Sequence, residues 1–294
     1  MLVTRKLLRS WKIPAADSGD SKEDRGRVLV VGGDKEVPGA ALLAGLAALR
    51  AGAGKLQVAT CQSAAIQLGV AIPEARVFGL AETDAGSIKG GNSARLTDVI
   101  NHSQATLIGP GMIDERETSI LLSQLLPTLE ESTVVLDAGA VSSLTGNSDL
   151  LATSSIRGII TPHAGEMAAL TGASIDEVEQ NPLRIAENVA RTLGVIVVLK
   201  GPETHIVSPE GECYRYKSGD VGLATSGSGD ILAGTITGLA ARGASPLQAA
   251  VWGVFLHGEA GNELAKNSGR VGYLARELLS QIPPLLNRLS GSSD

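Results

Sequence analysis

Short apolar segments that stop at glycine or at a turn residue recur along the chain, and helical patterns separate them. Residues 28–31 stop at Gly32-Gly33, a helical pattern covers residues 40–50, and residues 56–60 form the next apolar segment. This order indicates a βαβ unit, which implies parallel strands joined by a right-handed crossover. The alternation continues through strand-like residues 106–108, 134–136, 159–160 and 195–199, a hairpin of 204–208 with 213–216, and helical residues 117–129, 166–171, 182–193, 230–242, 246–267 and 272–286.

No linker and no internal repeat divides this pattern. It therefore predicts one α/β domain over residues 26–294, with a central, largely parallel sheet and helices on both faces. The polar and charged residues that precede the first strand predict a flexible lead-in over residues 1–25.

The composition excludes several classes of function. The chain has a net charge of −6 and no basic stripe with interleaved aromatic residues, so we expect no nucleic-acid partner. The basic N-terminus lacks the apolar core of a secretory signal, and no apolar run reaches membrane-spanning length, so we expect a cytoplasmic protein without membrane contact. Cys61 and Cys213 have no metal-ligand spacing, so we predict neither a disulfide framework nor a zinc site. Helices rich in Ala and Gly favour a homo-oligomer.

Several predicted strands end in glycine or in a side chain that can do chemistry. Ligands of open parallel sheets bind at the carboxyl ends of the strands. The residues that could converge at this edge are Gly32, Gly109, Gly111, Asp137, His163, Lys200 and, through a later loop, Asp230.

Residues 222–234, with the sequence GLATSGSGDILAG, are the most informative segment for function. Small turn-forming residues allow consecutive backbone N–H groups to face one concavity, and the helix that follows adds its own unpaired N–H groups. Such a helix start suits phosphate. Asp230 would repel phosphate, but it fits a base that takes a proton from a hydroxyl attacking phosphorus. The alternative is a glycine-rich turn in which Asp230 is an ordinary helix cap.

Common nucleotide-binding and hydrolase motifs are absent from the sequence. It contains no GxxxxGK[ST] motif, and no GxGxxG follows a strand, so a P-loop protein and a Rossmann dehydrogenase are disfavoured. Neither HExxH nor GxSxG occurs, which removes the zincin and α/β-hydrolase interpretations.

Other candidate residues each have a purely structural alternative. Glu166 suits the first turn of a helix and could be no more than a dipole partner, and His163 could be a surface loop residue. Lys200 could meet phosphates or be a solvated strand end, and Asp137 could orient a magnesium-bound water or cap a turn. For His257, in a helix buried on one face together with Glu259, we favour a structural role.

Four segments together resemble the NAD(P)H-hydrate dehydratase family, which repairs hydrated nicotinamide cofactors. They are residues 31–54, residues 161–166 (TPHAGE), residues 198–204 (VLKGPET), and residues 222–234, which resemble the ATP-site motif of ribokinase-like proteins. The resemblance runs from about residue 26 to residue 286. It implies a ribokinase-like three-layer α/β sandwich and a lyase that uses Mg²⁺ with ADP, as most bacterial members do, or with ATP.

The resemblance also implies roles for individual residues. Asp230 would be the catalytic base that meets the hydroxyl of the hydrate, and no protein-held metal site is implied. Ala40, Gly111, His163 and Asp230 would bind hydrated NADH or NADPH. The nucleotide would be bound by Lys200, Gly201, Pro202, Glu203, Thr204, Gly227, Ser228 and Gly229. The sequence departs from the family at Gly139, where an acidic residue is common, at Asp220, where asparagine is common, at Ala164, where proline is usual, and at Ser226, where glycine is usual.

Two other functions remain open at this stage. A ribokinase-like kinase of a vitamin-type alcohol would share Asp230 and the phosphate site, and a non-catalytic nucleotide-binding regulator would not need Asp230.

For a dehydratase, we expect the S epimer of the hydrate to be the substrate. We also expect a separate protein to supply epimerase activity, because the residues before the dehydratase-like region are too few for a second domain.

Overall fold

One nine-stranded sheet forms the centre of the molecule. The computed structural model describes residues 1–14, 21–217 and 219–290. The strands are β1 (Arg27–Val31), β2 (Lys55–Cys61), β3 (Ala75–Leu80), β4 (Ala105–Ile108), β5 (Glu130–Leu136), β6 (Ser155–Ile160), β7 (Ile196–Leu199), β8 (Thr204–Val207) and β9 (Cys213–Tyr216). Their order is β3-β2-β1-β4-β5-β6-β7-β8-β9; β1 to β7 are parallel, and the β8–β9 hairpin adds antiparallel strands at one edge.

Helices connect the strands and cover the sheet. Those in the described part of the chain are α1 (Arg5–Ser10), α2 (Pro38–Arg50), α3 (Ala65–Ala71), α4 (Ser93–Asn101), α5 (Glu115–Leu125), α6 (Gly139–Ser142), α7 (Asp149–Ala152), α8 (Ala164–Thr171), α9 (Ile175–Gln180), α10 (Pro182–Leu193), α11 (Ser228–Ala241), α12 (Pro246–Ser268) and α13 (Ala275–Ser290). None of these described helices combines the length and the apolar character needed to cross a bilayer.

Two hydrophobic cores lie on opposite faces of the sheet, because successive side chains of a strand point to opposite sides. In β1, Val28 and Val30 pack into the core with α2, α11, α12 and α13. Leu29 and Val31 pack into the other core, with α4, α5, α8 and α10. The predicted three-layer α/β sandwich with a largely parallel sheet is therefore confirmed.

The predicted strands with continuous apolar runs are all present, with ends shifted by a few residues. The sequence interpretation missed the short helices α1, α3, α4, α6, α7 and α9 and the edge strand β3. In β3, Arg76 and Gly79 interrupt the apolar residues, and most of its residues are only partly buried. An edge strand needs no continuous apolar run, since one of its sides has no neighbouring strand.

The first fourteen residues pack against the domain, which corrects the expected flexible lead-in for this part of the chain. Leu2 forms a parallel bridge with Arg215 of β9, and Thr4 caps α1. Leu8 is fully buried, and the Trp11 ring stacks on that of Tyr214 with centroids 5.6 Å apart. The expectation for residues 15–20 falls outside the described residues. In α1, Arg5, Lys6 and Arg9 are exposed, whereas Leu8 is buried.

Helices α2 and α11 lie in backbone contact. A Cβ added to Gly234 would collide with the carbonyl oxygen of Ala44, and one added to Gly238 would collide with that of Ala48. Only glycine permits an approach this close. The contact holds the start of α11, which carries Asp230, against α2.

Candidate functional site

The carboxyl ends of β5, β6 and β7 bring a lysine and two acidic residues together. The Asp137 Oδ1 atom accepts hydrogen bonds from Thr161 Oγ1 at 2.6 Å and from Lys200 Nζ at 3.0 Å. Lys200 Nζ also lies 3.8 Å from Glu166 Oε2. Burial would lower the pKa of Lys200, but Asp137 and Glu166 outweigh it and raise that pKa. Lys200 is therefore held as a cation at the edge where the sequence predicted convergence.

The start of α11 faces this lysine. Gly227, the residue before the helix, has φ +87°, and in the described part of the chain no side chain caps this helix start. A Cβ added to Gly229 would lie 3.6 Å from Lys200 Nζ. The anion hole, by which we mean residues 227–229, thus places helix N–H groups beside a cation. This combination suits a phosphate group.

Asp230 lies in the first turn of α11. Burial raises its pKa, the negative charge of Asp137 raises it further, and Lys200 opposes both, so the pKa of Asp230 stands at about 7. A carboxylate with a pKa near neutrality can both accept and release a proton at physiological pH. Among the described residues no hydrogen bond holds this carboxylate, so Asp230 is not an ordinary helix cap.

His163 and Glu166 close the start of α8. His163 Nδ1 accepts from the backbone N–H groups of Gly165 at 3.0 Å and Glu166 at 3.2 Å, and Glu166 Oε2 accepts from His163 N–H at 2.8 Å. Burial raises the pKa of Glu166, although Lys200 opposes it. Both residues therefore have the structural role considered above. They also have a place beside the candidate site, because His163 forms a parallel bridge with Lys200.

A cavity of about 820 Å³ opens between the end of β7, the hairpin, and the starts of α8 and α11. Most of the residues predicted to bind the nucleotide line it, and His163 does too: Lys200, Gly201, Pro202, Thr204, Ser228, Gly229 and His163. Glu203 and Gly227 are not part of this lining. The Glu203 carboxylate instead pairs with Lys217 at 2.6 Å and Arg215 at 3.3 Å.

The residues predicted to bind the hydrate are only partly brought together. A Cβ on Gly111 would lie 2.9 Å from that of Ala40, so these two residues are in contact beside Gly33. Leu43, one turn further along α2, reaches the anion hole, where a Cβ on Gly227 would lie 2.6 Å from its Cδ1 atom. His163 lines the cavity described above, whereas Ala40, Gly111 and Asp230 lie outside its lining.

Comparison with known proteins identifies the family. The family model described as NAD(P)H-hydrate dehydratase matches residues 28–284. This chain belongs to the NAD(P)H-hydrate dehydratase family. An ADP-dependent (S)-NAD(P)H-hydrate dehydratase of Xanthomonas campestris is 46% identical over 98% of the chain and 96% of that relative. The predicted family is therefore confirmed.

A solved structure of the same family agrees with the fold. The ADP/ATP-dependent NAD(P)H-hydrate dehydratase of Bacillus subtilis, co-crystallised with ATP/Mg²⁺, superposes with a TM-score of 0.85 at 30% identity, covering 98% of each chain. A bifunctional NAD(P)H-hydrate repair enzyme of Moorella thermoacetica is 36% identical over 97% of this chain but only 54% of its own length. A hydroxyethylthiazole kinase of Pyrococcus horikoshii, at 18% identity and a TM-score of 0.61, shares the fold alone.

Two of the family departures have a local explanation. Asp220 accepts the Gly222 N–H at 3.0 Å and pairs with Arg270 at 3.1 Å, so its carboxylate has partners within the chain. A Cβ on Gly139 would collide with the carbonyl oxygen of Met112. An acidic side chain therefore does not fit at position 139 with this backbone.

His257, for which the sequence favoured a structural role, lies beside the candidate site. Its Nε2 atom lies 2.9 Å from Ser228 Oγ, and it lines the cavity together with Tyr216 and Arg270. A histidine within a helix of small residues, in a chain with only 4 histidines, was the available signal. The sequence alone could not show which element the ring of His257 contacts.

The metal-binding side chains close to the anion hole, in the described part of the chain, include carboxylates. No group of three or more His, Cys, Asp or Glu side chains suited to a metal ion occurs in the part of the chain that the structure describes. Mg²⁺ usually keeps several waters and binds through one or two carboxylates plus substrate phosphates. Asp137 and Asp230 are carboxylates beside the anion hole, so the site fits magnesium that arrives with a nucleotide.

Proposed function

We propose that this chain is a hydro-lyase that uses a nucleotide to dehydrate hydrated NADH and NADPH, acting on the S epimer. The observation that carries the proposal is the uncapped start of α11, with Asp230 in its first turn and the Lys200 cation beside it. The Xanthomonas relative is an ADP-dependent (S)-NAD(P)H-hydrate dehydratase at 46% identity over nearly the whole chain. We take its substrate and its nucleotide as those of this chain.

The proposed reaction solves the problem of a poor leaving group. Asp230 removes the proton from the hydroxyl of the hydrate as its oxygen attacks the terminal phosphorus of ADP, and the bond between that phosphorus and the AMP oxygen breaks. The hydrate then carries a phosphate ester. The lone pair of the ring nitrogen expels this phosphate, and loss of a proton from the neighbouring carbon restores the ring of NADH. The products are AMP, phosphate and the repaired cofactor.

Each part of the site has a task in this scheme. The anion hole and Lys200 hold the phosphate that is transferred and offset the charge that builds on it. Thr161 and Lys200 fix the buried Asp137 carboxylate. Burial of Asp230 raises its pKa most, and the charge of Asp137 adds to this effect, so that the pKa stands at about 7. Magnesium bound with the nucleotide would supply additional charge neutralisation, and Asp137 and Asp230 are the residues placed to meet it.

Ala40 and Gly111 are proposed to border the hydrate. Both residues are small, and they lie in contact with each other. His163 would meet the hydrate from the start of α8, where it lies on the cavity lining. Glu203 and Gly227 would contribute through their backbone, since neither residue lines the cavity.

A direct assay tests the proposal. Hydrated NADH is incubated with the protein and ADP or ATP, and near-UV absorbance is followed. Recovery of the NADH band that requires nucleotide supports a dehydratase, and its absence in Asp230→Asn ties it to this site. Nucleotide turnover on another alcohol without recovery would instead support the kinase, which the comparisons do not favour.

Several finer points extend the proposal. We expect ADP to be preferred over ATP, which the ratio of kcat/KM values decides. One fixed base cannot reach hydroxyls on both faces of the ring, so the R epimer needs a separate epimerase activity. A mixture of epimers should then show a fast phase of NADH recovery followed by a slow one.

We also retain a cytoplasmic location and a homo-oligomer as predictions. Sedimentation measurements test the homo-oligomer.

A further inference from the structure

His257 makes a contact that the proposed reaction has not used. Its Nε2 atom lies 2.9 Å from the hydroxyl of Ser228, the central residue of the anion hole. Ser228 is 4% exposed, and both residues border the cavity. The bond joins the middle of α12 to the first residue of α11, so two separate helices meet at the point where phosphate is proposed to bind.

The α12 backbone around His257 is held firmly. A Cβ on Gly258 would collide with the ring of Tyr216, so α12 lies directly against that side chain. Tyr216 Oη donates to Glu259 Oε1 at 3.1 Å, and Arg5 of α1 donates to Glu259 Oε2 at 2.6 Å. The imidazole therefore projects from a fixed segment and can impose an orientation on its partner.

The chemistry of phosphate decides the direction of the bond. Phosphate oxygens at neutral pH accept hydrogen bonds, so Ser228 must donate its single hydroxyl proton to contact them. With its proton used in this way, Ser228 can only accept a hydrogen bond from His257. The His257 nitrogen that faces it, Nε2, must therefore carry a proton and act as the donor. Burial lowers the pKa of His257 to about 4, so the ring is neutral and contributes a hydrogen bond rather than a charge.

We propose that His257 is a positioning residue that turns the Ser228 hydroxyl toward the nucleotide phosphate. This inference rests on the proposed function, because it requires phosphate at the anion hole. The order of donors is His257 Nε2–H to Ser228 Oγ, and Ser228 O–H to phosphate oxygen. Without His257, the hydroxyl is free to rotate and to lose its alignment with the phosphate.

Affinity for ADP, measured by calorimetry without hydrate, tests the proposal. His257→Leu should weaken ADP binding about tenfold, the loss expected for a hydrogen bond to a charged group. His257→Gln, whose amide N–H can take the place of Nε2–H, should stay within roughly threefold of the original protein. In the Ser228→Ala background, His257→Leu should change affinity by less than about twofold, because the aligned hydroxyl is already absent.

His205→Leu is the matched control. His205 is also buried but lies on β8, where successive side chains alternate between the two faces of the sheet. His205 borders a separate cavity, whereas its neighbour Thr204 borders the cavity beside the anion hole. Loss of the His205 ring should therefore leave ADP affinity unchanged. If His257→Leu fails to fold, the comparison of His257→Gln with His257→Asn replaces it, since the shorter amide cannot reach Ser228.

The results that overturn the inference are distinct from those that overturn the function. Unchanged ADP affinity in His257→Leu, an equal loss with and without Ser228, or equal affinities of the Gln and Asn variants each reject the positioning role. If the unaltered protein binds ADP but leaves hydrated NADH untouched, the proposed function is wrong while the same affinities still decide the role of His257. Failure of the unaltered protein to bind ADP rejects both.

Discussion

Helices α8 and α11 begin with the same sequence pattern, but only the first turn of α8 is capped by side chains. The uncapped first turn of α11 is the one at the candidate phosphate site. Each has glycine at its second position, Gly165 or Gly229, and a carboxylate at its third, Glu166 or Asp230. In α8, His163 and Glu166 occupy the backbone N–H groups in a capping box. In α11 the preceding residue is Gly227, which has no side chain with which to cap.

The comparison shows how one sequence motif serves two purposes. Glu166 reaches back to a backbone N–H, whereas Asp230 is one methylene shorter and makes no such bond among the described residues. In α11 no side chain covers the backbone N–H groups of Gly229 and Asp230, so these remain for an anion. Burial raises the pKa of both carboxylates, to about 7 for Asp230. A closed helix start stabilises the fold, and an open one is available for a ligand.

The largest expected effect comes from removing the carboxylate of the open turn. Asp230→Asn should lower turnover of the hydrate roughly 10²–10⁴-fold, because the amide cannot take the hydroxyl proton. Circular dichroism should show an intact fold. Turnover near that of the original protein would show that the open turn has no catalytic base.

The second effect concerns the glycine that each helix has at its second position. Gly229→Val places a branched side chain between the helix start and Lys200, so affinity for ADP should fall by roughly tenfold or more. Gly165→Val is the matched change in the closed turn and should alter thermal stability rather than affinity, because a Cβ there meets only the His163 ring, at 2.9 Å. Equal losses of affinity in both variants would remove the distinction between the two turns.

The third effect is the pH dependence of the open turn. Because the pKa of Asp230 is about 7, kcat/KM should fall about tenfold per unit as pH drops below that value. The raised pKa also means that ionisation of Asp230 destabilises the folded protein as pH rises above the ordinary carboxyl range. Asp230→Asn should therefore raise Tm more at pH 8 than at about pH 4, and the opposite order would contradict the assignment.

The smallest effect belongs to the carboxylate of the closed turn. Glu166→Gln keeps an oxygen that accepts the His163 N–H but loses the charge 3.8 Å from Lys200. We expect turnover to change only a few-fold and stability by about 1 kcal/mol or less. A loss as large as that of Asp230→Asn would mean that Glu166, too, takes part in the chemistry.

The sequence predicted the fold where strands are buried on both faces. Segments such as Val28–Val31 are continuous apolar runs because helices cover them on both sides. The edge strand β3 and helix α1 escaped prediction for the opposite reason. In β3, Arg76 and Gly79 interrupt the apolar residues, and the partners of the N-terminal segment, such as Arg215 and Tyr214, lie far away in sequence.

The candidate site divides in the same way. Asp137 and Lys200 could be predicted to meet, because both end parallel strands, and Asp230 follows a recognisable glycine turn. His257 and Tyr216 could not, since their position depends on how α12 and the β8–β9 hairpin pack together. That packing involves contacts such as Gly258 with Tyr216, which leave no periodic pattern in the sequence.

The backbone contact between α2 and α11 bears on any attempt to transplant this site into another scaffold. Ala40 lies at the start of one helix and Asp230 at the start of the other, so Gly234 and Gly238 set the spacing between the two ends. A designer who copied only the residues of the cavity lining would supply the chemical groups but not the distance between the two helix starts. The smallest portable unit is therefore the packed pair of helices, including the positions where it carries no side chain.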